Sequence, residues 1–524
     1  MFDIIIHNGH IVDGTNSPRF RADLGIRNDR IEAIGDLGDA EAQHTIDAAG
    51  KLVAPGFVDV HNHSDGWLLK TPHSVSKTMQ GFTTEVLMSD GISYAPVNAN
   101  TFRDWMFYMH GLDALRMDEY RGWNSIAEFM QCIHGANVQN AIAQIPYANV
   151  RSLHCGFGRN RVDDFQMRSI KEEIRKAMEE GATGVSTGLD YIVQCHATTD
   201  ELVEACSAMS EFGGVYVTHV RYKTGLMRAL REAVEIGKRA NVKVHISHLK
   251  GQFPGEVEEV LQYIDTTARH EVDFSFDIYP YQPGSTMLSY LLPYEVWDEG
   301  PLAALGKLRD PSVLAHFSEG LNAYRLELEN IRIAWVGTKE NTKHQGKLLS
   351  DYIEEMGQPP EEALLNLLIE ERFSVLLVFE EGEDELVDPF LKHDLYMLGT
   401  DGIYFEGGLV HPRQFGSVGR LLGPCVRDKK LFTHEEAVHK LSGRSAERFG
   451  LNNRGVLKEG HFADVVVFDP ETVTDRATYD DPQQLTTGIE QVLVNGVPII
   501  QNGKPVESLQ HPLPGRFLKF QRED

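Results

Sequence analysis

The chain carries the stretch Gly56-Phe57-Val58-Asp59-Val60-His61-Asn62-His63, an apolar run that ends in two histidines. A short apolar run after a Pro-Gly turn predicts a buried β-strand. Residues i and i+2 of a strand point to the same side, so both imidazoles project together from its C-terminal end. Neutral imidazole is a good ligand for zinc and similar divalent ions. A lone His-x-His pair is more often a surface feature, so the rest of the chain decides what this pair does.

This stretch is the first of eight apolar runs that are separated by longer segments, several of them amphipathic and helical. Such alternation indicates a parallel α/β architecture, and eight strands close naturally into a (β/α)8 TIM-like barrel. The predicted strands are Gly56–Val60, Thr83–Met88, Asn140–Ile145, Gly184–Thr187, Gly214–Thr218, Val242–Ser247, Asp273–Ile278 and Leu395–Gly399. The predicted helices include 168–180, 200–211 and 226–240.

The sequence pattern at both ends of the chain differs from that of the middle. They alternate short apolar runs with turn signals such as Asn495-Gly496, which predicts one small β-sandwich domain built from both termini. We therefore divide the chain into residues 1–58 (first part of the sandwich), 59–440 (barrel) and 441–524 (second part and tail). Two further strand-like runs, 331–336 and 374–379, do not fit a barrel of eight strands. They lie in one stretch of the chain with the helical runs 301–321 and 361–371. They predict an insertion at about 285–390 that covers one side of the barrel mouth.

Further metal-binding side chains follow the predicted strands at the same end. His219 ends the fifth strand, His248 ends the sixth, and Asp401 follows the eighth. The C-terminal ends of barrel strands form one face, and active sites lie there. Histidines with unrelated structural roles would not all occur at that end. The sequence therefore predicts a metal centre that includes His61, His63, His219, His248 and Asp401.

This arrangement resembles the amidohydrolase superfamily of metal-dependent hydrolases, and within it the D-aminoacylase (N-acyl-D-amino-acid deacylase) branch. The resemblance extends over nearly the whole chain. Its collinear blocks are residues 3–14, 56–65, Thr183-Gly184-Val185-Ser186-Thr187-Gly188-Leu189, Ile246-Ser247-His248-Leu249-Lys250, Asp277-Ile278-Tyr279-Pro280-Tyr281, His411-Pro412-Arg413 and 463–496. The resemblance implies a barrel with a two-terminus β-sandwich, one or two zinc ions, and hydrolysis of an amide attached to an amino acid of D configuration.

The chain departs from this branch after its second strand. The branch carries a cysteine there, whereas this sequence has Asp90. Aspartate is a hard oxygen ligand, and thiolate binds zinc more softly. Asp90 is therefore predicted as a metal ligand, the alternative being a carboxylate that only hydrogen-bonds a ligand histidine. Several superfamily members bridge two metals through a carboxylated lysine after the fourth strand, but this chain has Ser186-Thr187-Gly188 there.

The resemblance also implies roles for individual residues. A divalent metal lowers the pKa of bound water and polarises the scissile carbonyl. Asp401 then takes the proton as general base and delivers it to the leaving amine as general acid, the alternative being a plain metal ligand. Lys250 and Tyr281 match positions that bind the substrate carboxylate. Arg413 is a third candidate, because a guanidinium matches a carboxylate bidentately.

Two residues near the predicted strand ends have open roles. His154 follows the third strand and Tyr191 follows the fourth. Either side chain would contact substrate or would pack beside the metal ligands.

Composition excludes other classes of protein. With 50 Lys+Arg against 77 Asp+Glu, the net charge of −27 repels phosphate backbones, so we expect no nucleic-acid partner. Five scattered cysteines without a Cys-x-x-Cys pair fit a reducing compartment better than a disulfide framework. No signal-peptide pattern and no apolar run of ~18–20 residues is visible. We expect a cytoplasmic enzyme with a small-molecule amide substrate and no membrane partner. A homo-oligomer is compatible with the sequence, which does not determine the oligomeric state.

Two other interpretations are kept at this stage. The first is hydrolysis of cyclic or other non-peptide amides, as by hydantoinases or dihydroorotases, although the missing barrel lysine counts against their usual dinuclear form. The second is a catalytically silent metal-binding barrel. Asp401 counts against the second, since a structural metal site needs no general base.

Overall fold

Eight parallel strands form the centre of the computed structural model, which describes residues 1–323, 326–380 and 382–521. We label them β1 to β8 in chain order: β1 Phe57–Asp59, β2 Phe82–Leu87, β3 Asn140–Ala143, β4 Val185–Gly188, β5 Val215–His219, β6 Lys243–Ile246, β7 Phe274–Ile278 and β8 Tyr396–Leu398. Every residue of these strands is buried except Lys243, which begins β6 and is half-buried. Burial on both faces explains the continuous apolar runs in the sequence.

The strands close into a barrel, which confirms the predicted fold. β1 pairs with β2 and β2 with β3. The chain continues from β3 into Ile145–Pro146, which pairs with β4, and β4 to β8 pair in chain order. Between β8 and β1 the Val60 N–H donates to the Leu398 carbonyl (3.4 Å) and the Asp401 N–H to the His61 carbonyl (2.8 Å). The last contact places the chain after β8 directly beside the two histidines after β1.

Helices cover the outside of the barrel. The predicted helix at 226–240 has those bounds in the structure, and its buried face includes Leu230 and Val234. It ends at Asn241 in the left-handed conformation (φ 55°), a common helix C-terminal cap. The helices up to β7 are Asp65–Lys70, Val75–Thr78, Phe102–Tyr108, Ile126–Ile133, Tyr147–Cys155, Asp164–Glu180, Thr199–Cys206, Leu226–Ala240, Pro254–Tyr263 and Arg269–Glu271.

The segment between β7 and β8 forms a separate antiparallel sheet and several helices. Its strands are Gly284–Met287, Val375–Phe379 and Ile331–Val336, with Val375–Phe379 in the middle. Its helices are Pro301–Lys307, Pro311–Ala323, Leu349–Met356, Pro360–Glu370 and Asp388–Lys392. The helical run predicted at 301–321 is therefore divided, and a proline opens the second half, where its missing N–H costs nothing.

Two sheets from both termini form the predicted β-sandwich. The first contains Phe2–His7, Asp23–Arg27, Arg30–Gly35 and Ala42–Asp47. The second contains His10–Ile11, Phe20–Arg21, Leu52–Pro55, Val465–Phe468, Ile489–Val494, Val497–Gln501 and Lys504–Pro505. Leu52–Pro55 pairs antiparallel with Val465–Phe468, which joins the two termini. Ile6, Leu24, Val53 and Val465 share one buried core between the sheets.

Helical turns join β8 to the second part of the sandwich. They are Arg413–Arg420, Leu421–Asp428, His434–Val438, His439–Gly443 and Arg444–Arg448. The boundary predicted at residue 440 lies within the turn His439–Gly443. The predicted domain limits remain predictions. In the described ranges, no helix has both the length and the apolar composition that crossing a membrane requires. All five cysteines are free thiols.

Candidate active site

The two histidines after β1 lie at the C-terminal mouth of the barrel and are buried. His61 is 0% and His63 is 6% exposed. Nε2 of His61 lies 3.6 Å from Asp401 Oδ1, and Nε2 of His63 lies 3.1 Å from the same oxygen. Gly399 permits this approach, because a Cβ at that position would lie 2.6 Å from the His61 Cβ. The structure thus places His61, His63 and Asp401 together, as their positions at the ends of strands predict.

Asp90 lies between the histidines of the two halves of the barrel. Its Oδ1 is 3.5 Å from His61 Nε2 and 3.9 Å from His248 Nε2, and its Oδ2 is 3.5 Å from His63 Nε2. Burial alone would raise the pKa of Asp90, but the neighbouring imidazoles, His61 first, hold it below the ordinary value. The Asp90 carboxylate is therefore anionic at neutral pH and faces three imidazole nitrogens.

His219 and His248 complete the cluster on the opposite side. Nδ1 of His219 lies 3.0 Å from Nε2 of His248. Burial lowers the pKa of His248 to about 3, so its ring is neutral. For His61 burial acts in the same direction, but the Asp90 and Asp277 carboxylates outweigh it and raise the pKa. A metal at Nε2 of His61 would compete with that proton.

Asp401 is held by an arginine that is fully buried. Nη1 of Arg413 lies 2.8 Å from Asp401 Oδ2, while Oδ1 faces the two histidines after β1. Burial favours a raised pKa for Asp401, but the Arg413 guanidinium and the imidazoles keep it well below the ordinary value. One carboxylate oxygen is thus fixed by the protein, and the other is directed at the cluster.

Three of the predicted ligands have a left-handed backbone, which side-chain-bearing residues rarely adopt. Asp90 has φ 56°, His248 has φ 37° and Asp401 has φ 48°. Such residues cost on the order of 1–3 kcal/mol each and concentrate at functional sites. Each residue follows shortly after a strand, where the chain turns sharply and directs the side chain inward.

The donor set fits a divalent metal. Both ring nitrogens of His61 and Oδ1 of Asp90 are buried with no hydrogen-bond partner in the described part of the chain. Buried polar atoms are almost always partnered, so these orphans indicate a missing ligand. Two sets of atoms within 4.8 Å of one another share Asp90: one with His61 and His63, the other with His219 and His248. Imidazoles with carboxylates suit zinc and related ions.

A cavity of about 250 Å³ opens beside the cluster. Asp401, Arg413 and Lys250 line it on one side. The predicted Lys250 is present, and its Nζ donates to the Tyr279 hydroxyl (2.6 Å) and to the carbonyls of Gln282 (2.8 Å) and Pro283 (3.1 Å). The cavity therefore has a cationic side next to the predicted metal position.

Tyr281 is not among the described residues that line this cavity. Its backbone N–H donates to the Tyr279 carbonyl (2.9 Å) in a tight turn, and its hydroxyl donates to Asp475 (3.3 Å) in the C-terminal segment. Tyr279 lines the cavity instead, and its hydroxyl also accepts from Arg413 Nη1 (2.5 Å).

The two open candidates differ in position. Tyr191 lines the cavity, and its ring centroid lies 5.0 Å from that of His219. His154 lies on the helix Tyr147–Cys155 and is not among the described cavity residues.

Two buried carboxylates beside the ligand histidines were missed by the sequence argument. Asp277 accepts from His245 Nε2 (2.9 Å) and from the His248 N–H (2.9 Å), and it lies 3.6 Å from His61 Nδ1. Asp190 lies 3.4 Å from His219 Nε2. Asp277 is the second-last residue of β7, so the strand-end criterion that found the histidines would have found it too. Asp190 lies in a turn that no motif marks.

Comparison with known proteins agrees with this site. A family model described as the amidohydrolase family matches residues 44–278 and 392–500. The chain is 34% identical to a D-aminoacylase of Alcaligenes xylosoxydans xylosoxydans, over 95% of each chain. It is similar to the crystal structure of an N-acyl-D-glutamate deacylase of Bordetella bronchiseptica, complexed with zinc and a phosphonate mimic of the tetrahedral intermediate (TM-score 0.82, 30% identity, 99% of both chains).

A second solved structure, of a D-aminoacylase described by its binuclear metal centre, has a TM-score of 0.81 and 30% identity, with 99% of this chain and 100% of that chain covered. The family model covers both the histidines after β1 and Asp401, and these relatives span nearly the full length of the chain. The chain belongs to the amidohydrolase family.

Proposed function

We propose that this amidohydrolase removes the acyl group from N-acyl-D-amino acids with a neutral side chain, giving a carboxylate and the free D-amino acid. The observation that carries the proposal is the convergence of four imidazoles and two carboxylates at the mouth of the barrel, beside a cavity with a cationic side. The D-aminoacylase and N-acyl-D-glutamate deacylase relatives support the substrate class.

The residues proposed to hold the metal are His61, His63, Asp90, His219, His248 and Asp401. Asp90 belongs to both sets of converging atoms, so it fits a ligand shared by two positions. The zinc and the binuclear centre in the similar structures support one or two zinc ions. Zinc, when bound, would activate a water molecule and polarise the scissile carbonyl.

Asp401 is the proposed general base and general acid. Its low pKa keeps it anionic, as a base must be, and Arg413 leaves Oδ1 available toward His61 and His63. A proton taken at Oδ1 is transferred to the nitrogen of the scissile amide as the bond breaks. Arg413 fixes the other oxygen, so the carboxylate does not rotate between the two steps.

The cationic side of the cavity is proposed to bind the substrate carboxylate. Arg413 Nε is a buried donor with no hydrogen-bond partner among the described residues, and a carboxylate would satisfy it. Lys250 Nζ donates to the Tyr279 hydroxyl and so fixes it, and this hydroxyl also accepts from Arg413. We assign the tyrosine contact to Tyr279 in place of Tyr281, whose hydroxyl donates to Asp475 outside the cavity.

Apart from the proposed metal ligands and from Lys250 and Arg413, the described lining of the cavity is uncharged. It includes Leu112, Phe379 and Ile403, together with Tyr191 and Tyr290. Lys250 and Arg413, the lysine and arginine of the lining, both donate to one hydroxyl, so they fit a single carboxylate. A second carboxylate on the amino-acid side chain would find no further lysine or arginine in the described lining, and burying it unpaired is costly.

The test is hydrolysis of paired D and L substrates by the zinc-loaded protein. N-acetyl and N-formyl derivatives of leucine, methionine and phenylalanine are compared with those of glutamate and aspartate. We expect turnover of the D enantiomers with neutral side chains, at least about 100-fold above the L enantiomers and the D-dicarboxylates. Equal rates for both enantiomers, or preference for a dicarboxylate, would overturn the specificity. Turnover of hydantoins alone would favour a cyclic-amide hydrolase.

Asp401→Asn tests the mechanism separately. We expect kcat to fall by about 10²–10⁴-fold, the usual contribution of a general acid–base. Zinc content, measured by atomic emission, shows whether the variant still binds metal. A variant with bound zinc and undiminished turnover would contradict the role of Asp401.

We also propose a cytoplasmic location, supported by five free cysteines that no disulfide uses. The absence of a nucleic-acid partner and the oligomeric state stay predictions.

A further inference from the structure

A buried carboxylate with no part in the proposed reaction lies beside the metal ligands. Asp190 follows β4, and its side chain is 0% exposed. Its Oδ2 is 3.4 Å from His219 Nε2, and it accepts from the Lys223 N–H (3.3 Å) and the Tyr290 hydroxyl (3.3 Å). Its Oδ1 accepts from the Tyr294 hydroxyl (3.1 Å). Four donors thus converge on one carboxylate, which explains how the charge is tolerated there.

The two nitrogens of the His219 ring face different partners. Nδ1 lies 3.0 Å from His248 Nε2 and so points into the ligand cluster, while Nε2 points at Asp190. An imidazole that binds a metal through one nitrogen carries its proton on the other, and the partner of that N–H sets the tautomer and the ring orientation. Asp190 therefore favours the tautomer of His219 in which Nδ1 is free to bind metal.

Tyr290 and Tyr294 belong to the segment inserted between β7 and β8. They lie on the short turns Leu288–Leu291 and Tyr294–Trp297, directly after the inserted strand Gly284–Met287. Tyr290 also lines the cavity, with its ring centroid 5.4 Å from that of Tyr191. The first of these turns thus forms part of the cavity wall, and both turns hold the carboxylate behind a proposed metal ligand.

We propose that Asp190 is a positioning residue for His219. Because Tyr290 and Tyr294 hold Asp190, the zinc affinity of the site then depends on the position of the inserted segment relative to the barrel. The inference rests on the proposed function in one respect: it takes His219 as a metal ligand. Its consequence is that the insertion is a component of the metal centre as well as a cover for the cavity.

The experiment measures zinc affinity of the metal-free protein by competition with a chromogenic chelator, with no substrate present. We expect Asp190→Asn to weaken zinc binding by about 10–100-fold, the usual effect of losing such a partner. The double variant Tyr290→Phe/Tyr294→Phe, which removes two hydroxyl groups and no ring, should weaken it in the same direction. Tyr352→Phe is the matched control, because Tyr352 is also a buried tyrosine of the insertion and its hydroxyl makes no hydrogen bond within the described residues. We expect wild-type affinity for it.

A second readout separates positioning from general damage to the fold. In the cobalt-loaded protein the visible absorption of the ion reports ligand geometry, so the double variant should change that spectrum while its thermal unfolding matches that of Tyr352→Phe. Unchanged zinc affinity and an unchanged cobalt spectrum in the double variant would overturn the inference, even if Asp190→Asn fails to fold.

Failure of the proposed function would be recognised separately. A silent substrate panel with weakened zinc binding in the variants would reject the D-amino-acid substrate and keep Asp190 as a positioning residue. Turnover of D substrates with unchanged zinc affinity would do the reverse.

Discussion

Asp90 is the residue at which the chain departs from the branch that it resembles, and its geometry favours a ligand role over a hydrogen-bonding one. Both of its oxygens lie 3.5–3.9 Å from imidazole nitrogens, and Oδ1 has no hydrogen-bond partner in the described chain. A carboxylate that only orients a histidine needs to face one ring, as Asp190 faces His219. Asp90 instead belongs to two converging sets of donor atoms, which fits a metal ligand.

Two substitutions at this position test the ligand role. Asp90→Asn removes the charge, and we expect zinc affinity to fall by more than about 100-fold, since even the loss of an outer partner costs about 10–100-fold. Asp90→Cys supplies a thiolate, another anionic zinc ligand, and should retain affinity within about tenfold of the wild type. Chelator competition on the metal-free protein measures both.

Asp113→Asn is the control for replacing a buried aspartate. Asp113 is also fully buried and accepts from the Gly66 N–H (2.6 Å), but among the described residues it belongs to no converging donor set. Its zinc affinity should match the wild type. If Asp90→Asn also binds zinc as tightly as the wild type, the Asp90 carboxylate is not a ligand.

A buried network of hydrogen bonds and one ion pair connects β1 with the chain after β8, next to the candidate site. It consists of Lys77, Asp59 and Thr400. The Lys77 and Asp59 side chains are 0% exposed and form an ion pair, and Lys77 Nζ also donates to Thr400 Oγ1 (2.7 Å). The Thr400 N–H and hydroxyl both donate to Asp59 (2.9 and 2.6 Å). Asp59 and Thr400 lie two residues before His61 and one before Asp401, so the network fixes two strand ends relative to each other.

Breaking this network should destabilise the protein. Lys77→Met leaves the Asp59 charge buried without its partner, and we expect unfolding free energy to fall by about 3–5 kcal/mol. Urea denaturation of the metal-free protein at neutral pH measures the loss. Lys440→Met is the matched control: Lys440 is also buried and donates to the Leu391 carbonyl, but no carboxylate of a described residue lies within ion-pair distance. An equal loss in both variants would show that burial of the lysine, and not the Asp59 pair, is responsible.

The barrel strands were predictable because each is buried on both faces, which leaves a continuous apolar run in the sequence. The inserted strand Gly284–Met287 was not predicted, since its residues Gly-Ser-Thr-Met are mostly half-buried and show neither an apolar run nor alternation. Tyr281 illustrates a position that the sequence does not fix. Two-residue spacing places it on the side of Tyr279 if the chain stays extended, but a turn immediately after β7 directs it away. Motif matching finds such residues but does not distinguish which of two neighbours faces a cavity.

At the scale of the whole molecule, the candidate site depends on residues that are separated by hundreds of positions and joined only by closure of the barrel. The prediction of one cluster needed only the order of the strands and the rule that active sites lie at their C-terminal ends. The residues predicted in this way are His61, His219, His248 and Asp401. The buried carboxylates behind them depend on which side chains fill the barrel interior. That is decided by packing among all eight strands, so no local pattern marks it.

Half-buried histidines outside the metal cluster should make the stability of the metal-free protein dependent on pH. Burial lowers the pKa of His73 to about 4. It also lowers the pKa of His110 to about 4, assisted by the charges of Arg116, Lys70 and Arg372. In the unfolded chain a histidine titrates near ~6.5. Between these values the unfolded state binds more protons, so stability is fully present above about pH 6.5 and is lost as the pH falls toward about 4.

The size of this effect is on the order of 3 kcal/mol for each histidine at about pH 4. Urea denaturation of the metal-free protein from about pH 7 to about pH 4 should give a midpoint that falls with pH. The double variant His73→Gln/His110→Gln should show a shallower fall, because two of the groups that take up protons on unfolding are gone. His270→Gln, which replaces a solvent-exposed histidine, should keep the wild-type slope. A double variant with the full wild-type slope would mean that these two rings do not carry the acid sensitivity, and that the remaining buried histidines or the carboxylates do.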